Sequence, residues 1–367
     1  MTSMLHSLKD KLIEYRQRMF RSVGATARPM RICMLGPRGV GKTSVVTAMH
    51  TGLRQAVNGT DLFLIAEPDT QAILNDKKAC LTSMFSGLHG ENEMVTESGI
   101  SGDAATTMFS FTYGMNSQNV NIGMEIRDYP GEYLLTQPET VAEYVREADA
   151  ILVVIDTPCL MEEGGRYNEG RNRPQLVMDF LMKNLDNTAD KLVLFVPLKC
   201  ECYCADGRIA LVTEKIRKVY APLIDHLRDK GDEYGFHRRV CCAVTPIQTL
   251  GGVAFHDFER GADGSVKEVT TSDGSILPAR VNYRYTSGDA AYAPRNCAQP
   301  LYYLLGFFSK QYELLRKEKN SRFLTRLIDI FCQLPDVDLF MLEAARLSAQ
   351  RREHGEGYQV LFGRGRI

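Results

Sequence analysis

Three short stretches carry residue types, at spacings and in an order, that suit phosphate chemistry. The first is Gly36-Pro37-Arg38-Gly39-Val40-Gly41-Lys42-Thr43, followed by Ser44. It fits G-x-x-x-x-G-K-[ST], a phosphate-binding loop (P-loop). Its glycines let the backbone curl so that successive N–H groups point inward as an anion nest. A helix starting at its end adds a positive terminus. In that setting Lys42 would bridge the β- and γ-phosphates and the Thr43 hydroxyl would bind Mg²⁺. The second stretch is Asp128-x-x-Gly131. A carboxylate beside the loop can hold Mg²⁺ through water, and Gly131 can bring its N–H to a γ-phosphate. The third is Leu198-Lys199-Cys200-Glu201. Guanine offers N1–H and N2–H to a carboxylate, here Glu201, and the aliphatic stem of Lys199 can cover the base. Further on, the backbone of Thr245-Pro246-Ile247 is expected to meet the base's O6.

Two residues bear on rate. Glu132 follows Gly131 and would orient or deprotonate water, or else begin the next helix. Arg38 lies inside the loop. It would stabilise charge on a γ-phosphate, or point to solvent or a partner, the reading preferred for it. The motif order resembles that of P-loop GTPases, and the resemblance implies a switch threonine that closes over the metal before the first hairpin strand. Asp103, Thr106 and Thr107 lie there, and the hydroxyls rank above the acid because a carboxylate beside a γ-phosphate is repelled.

These residues need elements to position them. Met30 to Leu35 reads as a buried strand, and a helix follows the loop to about Arg54. Asp61–Ala66 is a candidate strand and Thr70–Gly87 a helix, and the polar stretch 91–105 reads as a long loop. Thr107–Tyr113 and Val120–Ile126 alternate apolar and polar, a hairpin signal. Ala150–Asp156 and Leu192–Pro197 are continuous apolar runs of the central parallel kind, and Val240–Thr245 is the last strand of the set. Between them, 157–172 reads as a polar loop, and Pro174–Leu185 and Ile209–Leu227 as helices. Strands and helices alternate from 30 to 245. This predicts an α/β, doubly wound, mostly parallel sheet with one antiparallel hairpin strand and the P-loop at the first strand's carboxyl end. The domain would span 30–317 with an inserted hairpin or loop at 249–297. An amphipathic helix and linker (1–29) would precede it. A helical extension (318–367) would follow, with helices over Ser321–Leu334 and Val337–Arg351 and a poorly ordered Gly- and Arg-rich tail.

In this order the motifs resemble the translation-factor/Ras-like (TRAFAC) class of P-loop GTPases. The wording is similar to bacterial double-GTPase-type conflict-system proteins over about residues 30–310. It rests on Arg127-Asp128-Tyr129-Pro130-Gly131-Glu132, Asp156-Thr157-Pro158, Val196-Pro197-Leu198-Lys199-Cys200-Glu201, Thr245 to Gly251, and Tyr292-Ala293-Pro294 with Gln299-Pro300-Leu301. The resemblance implies a Ras-like G domain that binds and hydrolyses GTP with Mg²⁺, and a place in a bacterial multi-protein system, including defence against phage. Two positions depart from it. Leu198 stands where the class has Asn or Thr, and Glu201 where it has Asp. The longer Glu can accept both guanine hydrogens. Leu198 cannot hydrogen-bond, so a looser tie to the P-loop is expected.

The expectation is thus a slow Mg²⁺-dependent GTPase switch, with GTP ordering residues near 91–107 and 128–136 and a protein partner or self-association completing the site. The rivals are a nucleotide-held scaffold without useful hydrolysis, and an ATPase. The remaining composition fits. The chain has 367 residues, 44% hydrophobic and 24% charged, with a formal net charge of −1, which gives no signal for nucleic acid. No apolar run approaches the ~18 residues of a membrane span, and the N-terminus has no signal-peptide core, so a cytoplasmic protein is expected. The helix expected over 3–23 places Lys9, Lys11, Arg16, Arg18 and Arg21 between apolar positions, but Asp10 and Glu14 interrupt its basic face. It reads as packed on its own domain or on a protein rather than on a membrane. The ten cysteines are scattered, and Cys200-x-Cys202-x-Cys204 lacks zinc spacing.

Overall fold

A strand that buries every residue has to sit inside a sheet covered on both faces, and Ala150–Asp156 is such a strand. Its side chains alternate between two cores: Ala150, Leu152 and Val154 enter one, Ile151, Val153 and Ile155 the other. The first strand divides likewise, with Ile32 and Met34 on one side and Cys33 and Leu35 on the other. The computed structural model describes residues 28–85, 94–96, 106–117, 120–185, 190–234, 240–317, 337–355 and 357–367. The helix expected over 3–23, most of the 91–105 loop, Asp103, and the helix expected over 321–334 lie outside the described residues.

The strands are β1 (Met30–Leu35), β2 (Leu62–Ala66), β3 (Met94–Thr96), β4 (Thr107–Met115), β5 (Val120–Asp128), β6 (Ala150–Asp156), β7 (Lys191–Leu198), β8 (Val240–Val244), β9 (Val253–Phe258), β10 (Glu268–Thr270), β11 (Ile276–Pro278), β12 (Val281–Tyr285) and β13 (Gln359–Phe362). Eight of them form the central sheet, in the order β13-β8-β7-β6-β1-β5-β4-β2. From β8 through β5 all neighbours are parallel. The fold is therefore a doubly wound, mostly parallel α/β sheet. Helices Lys42–Ala56, Gln299–Lys317 and Val337–Arg351 cover one face. Helices Pro138–Glu147, Pro174–Asn184, Ile209–Val219 and Ala221–Tyr234 cover the other. No described helix is long and apolar enough to cross a membrane.

Three expectations change. The sheet holds more antiparallel pairing than one hairpin: β4 pairs antiparallel with both β5 and β2, and β13 antiparallel with β8. Nor is the tail poorly ordered. Gln359, Val360 and Phe362 pair with Val244, Ala243 and Cys242, and Arg366 Nη1 donates to Asp190 Oδ1 at 2.8 Å and Gln311 Oε1 at 2.7 Å. A short strand with glycines on both sides has no period to read, yet it covers an edge that β8 would otherwise expose. The 157–172 stretch is not a loop either, but helices Thr157–Met161 and Asn168–Arg171 joined by a 3₁₀ turn. The hairpin expected within 249–297, with a strand near 279–285, is present as part of a small β unit. There β12 pairs with β3 and β9, and β10 pairs with β11, around Tyr167, Phe258, Tyr283 and Tyr285.

One buried base makes stability acid-sensitive. His50, on the helix after the loop, is pushed down from 6.5 to about 4, first by burial and then by Arg54 and Lys78. Its contribution is therefore complete above pH 6.5. It is lost as pH falls toward 4, because the unfolded chain accepts a proton that the folded chain refuses. In urea unfolding at pH 7 and pH 4.5, His50→Gln is expected to lose less stability on acidification than the wild type.

Candidate functional site

The loop leaves β1 at Gly36 and enters its helix at Lys42. Two turns in it need positive φ, Gly39 at 80° and Gly41 at 104°, which side-chain-bearing residues adopt poorly. Val40 between them is fully buried and pins the loop to the core. Lys42 folds back into the ring this makes. Its Nζ donates to the Gly36 carbonyl at 2.7 Å and the Pro37 carbonyl at 3.3 Å, and lies 5.4 Å from the Tyr129 ring centroid. Burial lowers its pKa, and Asp128 and Glu132 pull it back up. The cation thus sits inside the loop, next to the backbone groups that would receive an anion.

Asp128 ends β5, the parallel neighbour of β1, so its carboxylate arrives beside the loop. Thr43 Oγ1 donates to Asp128 Oδ2 at 2.6 Å, and Thr107 is Asp128's register partner on β4. The sequence stretches that nominated these three residues are far apart, and the sheet brings them together. A hydroxyl and a carboxylate are hard oxygen donors that suit Mg²⁺, so the residues fit the metal that the motif implies. The following Gly131 lies on the loop itself: a side chain there would collide with the backbone of Pro37 and Arg38. Glu132 starts the single turn Tyr133–Thr136, where its carbonyl accepts from Leu135 and Thr136. Its carboxylate does not cap that turn, and it acts on Lys42 electrostatically. Arg38 is exposed.

On the other side of β1, β6 delivers Asp156. This buried carboxylate takes Lys199 Nζ on Oδ2 at 3.0 Å and the Cys159 N–H on Oδ1 at 3.0 Å. Burial pushes it up, but Lys199, Arg171 and the Cys159 amide outweigh burial and hold it below the ordinary range. Lys199 is itself in the left-handed region, at φ 58°, a strained backbone of the kind that collects at sites. Its neighbour Leu198 is tied to the loop after all, by packing instead of hydrogen bonding: a side chain at Gly41 would meet Leu198 Cδ1 at 2.9 Å.

Glu201 begins the helix Glu201–Ala205 and is buried. Its Oε1 accepts from Leu250 N at 2.7 Å and Gly251 N at 3.1 Å. Burial raises its pKa, and the two amides pull it part of the way back. The Thr245-Pro246-Ile247 expectation needs correction. Thr245 N donates to the Phe195 carbonyl at 2.9 Å and Ile247 N to the Pro197 carbonyl at 3.0 Å, extending the β7–β8 ladder. Proline has no N–H, so this segment has no backbone N–H left for a base.

Sequence reasoning passed over three residues. Asn172 exchanges bonds with the end of β6: Asp156 N donates to its Oδ1 at 2.8 Å, and its Nδ2 donates to the Asp156 carbonyl at 3.0 Å and to Asn168 Oδ1 at 2.9 Å. This clamp fixes Arg171, whose Nη1 lies so close to Gly39 that a side chain on Gly39 would collide with it. The available signal was a pair of asparagines four apart beside a strand end, inside a stretch read as loop. The chain matches no model of a known protein family, and no curated protein matches it. The loop at the strand ends thus holds Lys42 within its ring, has Arg171 against Gly39, and has Thr43 bonded to Asp128 beside it.

Proposed function

We propose that the chain binds a guanine nucleoside triphosphate with Mg²⁺ in the Gly36–Ser44 cradle and hydrolyses it to the diphosphate and phosphate. The observation that carries this reading is the bond from Thr43 to Asp128 beside a loop whose ring already contains the Lys42 ammonium. The order β8-β7-β6-β1-β5-β4, with β4 antiparallel, is the one a Ras-like G domain would have, and it supports the reading. So does the position, because β1 lies where the chain winds off in both directions and such sheets bind ligands at the strands' carboxyl ends.

The residues then have separate tasks. Lys42 exchanges the Gly36 and Pro37 carbonyls for phosphate oxygens, a stronger acceptor for a buried ammonium. Thr43 and Asp128, with Thr107 across the ladder, would hold the metal. Mg²⁺ supplies neutralisation of charge on the β- and γ-phosphates. Gly131, packed on the loop backbone, would bring its N–H to the γ-phosphate, so the 128–136 segment reports the ligand. Lys199 and Glu201 hold the base side, and Asp156 fixes the Lys199 ammonium.

Base choice gives the test. Glu201→Gln keeps an oxygen for the Leu250 and Gly251 amides but presents a donor where guanine has donors. Each charged bond is worth about 1.5–3 kcal/mol. In a competition assay GTP affinity is expected to drop roughly 10–100-fold, while xanthosine triphosphate, with a carbonyl at that edge, gains on GTP. ATP displacing GTP equally from the wild type, with no change in Glu201→Gln, would replace this reading with an ATPase.

A further inference from the structure

We infer that Arg171 is the arginine that this chain supplies to its own triphosphate, an assignment that rests on the nucleotide reading above. The obvious candidate in the loop, Arg38, is exposed, whereas Arg171 reaches the loop from outside it. Its guanidinium lies against Gly39, at the positive-φ turn of the cradle. Any side chain at Gly39 would occupy the space that Nη1 takes. The backbone that carries it is held tightly. Asn172, the next residue, is locked to the end of β6 by a reciprocal pair of hydrogen bonds and to Asn168 by a third. On the opposite side, Gly170 packs so closely on the Ile276 carbonyl that a side chain would not fit.

The electrostatics agree with the geometry. Asp156 accepts from Lys199, and the charges of Lys199 and Arg171 together hold it ionised. This carboxylate bonds the Lys199 ammonium directly and attracts the Arg171 guanidinium through space. A guanidinium has five donors in a planar fork that matches phosphate oxygens. Placed at the cradle in advance, it incurs little reorganisation when charge develops. In the step itself, a water oxygen bonds to the γ-phosphorus as the bond from that phosphorus to the β–γ bridging oxygen breaks. The water's proton leaves with the phosphate, and Arg171 stays protonated throughout. The guanidinium offsets charge that builds on the bridging and γ oxygens. An arginine acting this way is worth about 10³–10⁵ in rate.

The test uses the full chain. Single-turnover GTP hydrolysis, GDP affinity and capture of aluminium fluoride with GDP are measured in wild type, Arg171→Ala and Arg171→Lys. The expected result for Arg171→Ala is a rate about 10³-fold lower, GDP affinity within a few-fold of wild type, and loss of aluminium fluoride capture. Arg171→Lys recovers only part, because an ammonium lacks the fork. Retained GDP affinity reports that the variant is folded. Millimolar free guanidinium should then restore part of the Arg171→Ala rate, which a purely structural arginine would not allow. A wild type that hydrolyses GTP, with Arg171→Ala equally fast and still capturing aluminium fluoride, overturns this inference and leaves the nucleotide reading standing. A wild type that binds no nucleotide overturns both.

Discussion

Lys42→Ala is expected to lower GTP affinity by about 10³-fold, because the ammonium's charge-assisted bonds to two phosphates contribute about 1.5–3 kcal/mol each. Losing the side chain should harm the empty protein far less. In that state its ammonium is buried against the Gly36 and Pro37 carbonyls, and burial lowers its pKa, so an unliganded Lys42 is held in a poorly solvated place. Replacing it removes two hydrogen bonds and also one desolvated charge, terms of opposite sign. Urea unfolding of Lys42→Ala without ligand should therefore lie close to wild type, with the difference between the proteins opening only when GTP is added. Equal GTP affinity in the two proteins would remove Lys42 from its assigned role.

The second large effect is expected at Gly131. In the empty chain this residue rests on the backbone of Pro37 and Arg38, and a methyl group there has no space. Gly131→Ala must push the 128–136 segment off the loop, at an overpacking cost of about 1–3 kcal/mol. The same segment carries the Asp128 carboxylate that accepts from Thr43, so the metal edge of the site moves with it. Hydrolysis is expected to fall about 10²-fold, since displacing a reacting geometry by an ångström is enough to do so. Urea unfolding and single-turnover hydrolysis on the same preparation check both effects. A variant as stable and as fast as wild type would show that the contact with Pro37 and Arg38 is unimportant in solution.

Which parts of this site were readable from sequence follows from the range of the interactions. The Gly36–Thr43 loop was legible because its work is local: backbone curvature, a helix start and a neighbouring lysine are all encoded within a few residues. The strands β6 and β7 were legible because burial on both faces requires long apolar runs, and β1 because only Arg31 interrupts its run. The meeting of Thr43 with Asp128 followed once β5 was placed beside β1. Arg171 was not legible. Its role depends on Asn168 and Asn172 folding a polar stretch back onto β6, which no periodicity records. The Thr245-Pro246-Ile247 expectation failed for a related reason. An apolar strand end was identified, but not that its ladder with β7 continues past β8 and uses the very N–H groups assigned to a base. The tail was misread because a strand of four residues among glycines carries too little pattern, while its partner edge on β8 lies far away in sequence.

The most direct measurement is calorimetric titration of the purified full chain with GTP in Mg²⁺, repeated with a chelator and with Lys42→Ala. One site per chain is predicted, weakened when the metal is withdrawn and reduced about 10³-fold by the substitution. No heat with GTP, GDP or ATP, or binding that ignores both Mg²⁺ and Lys42, would contradict the account.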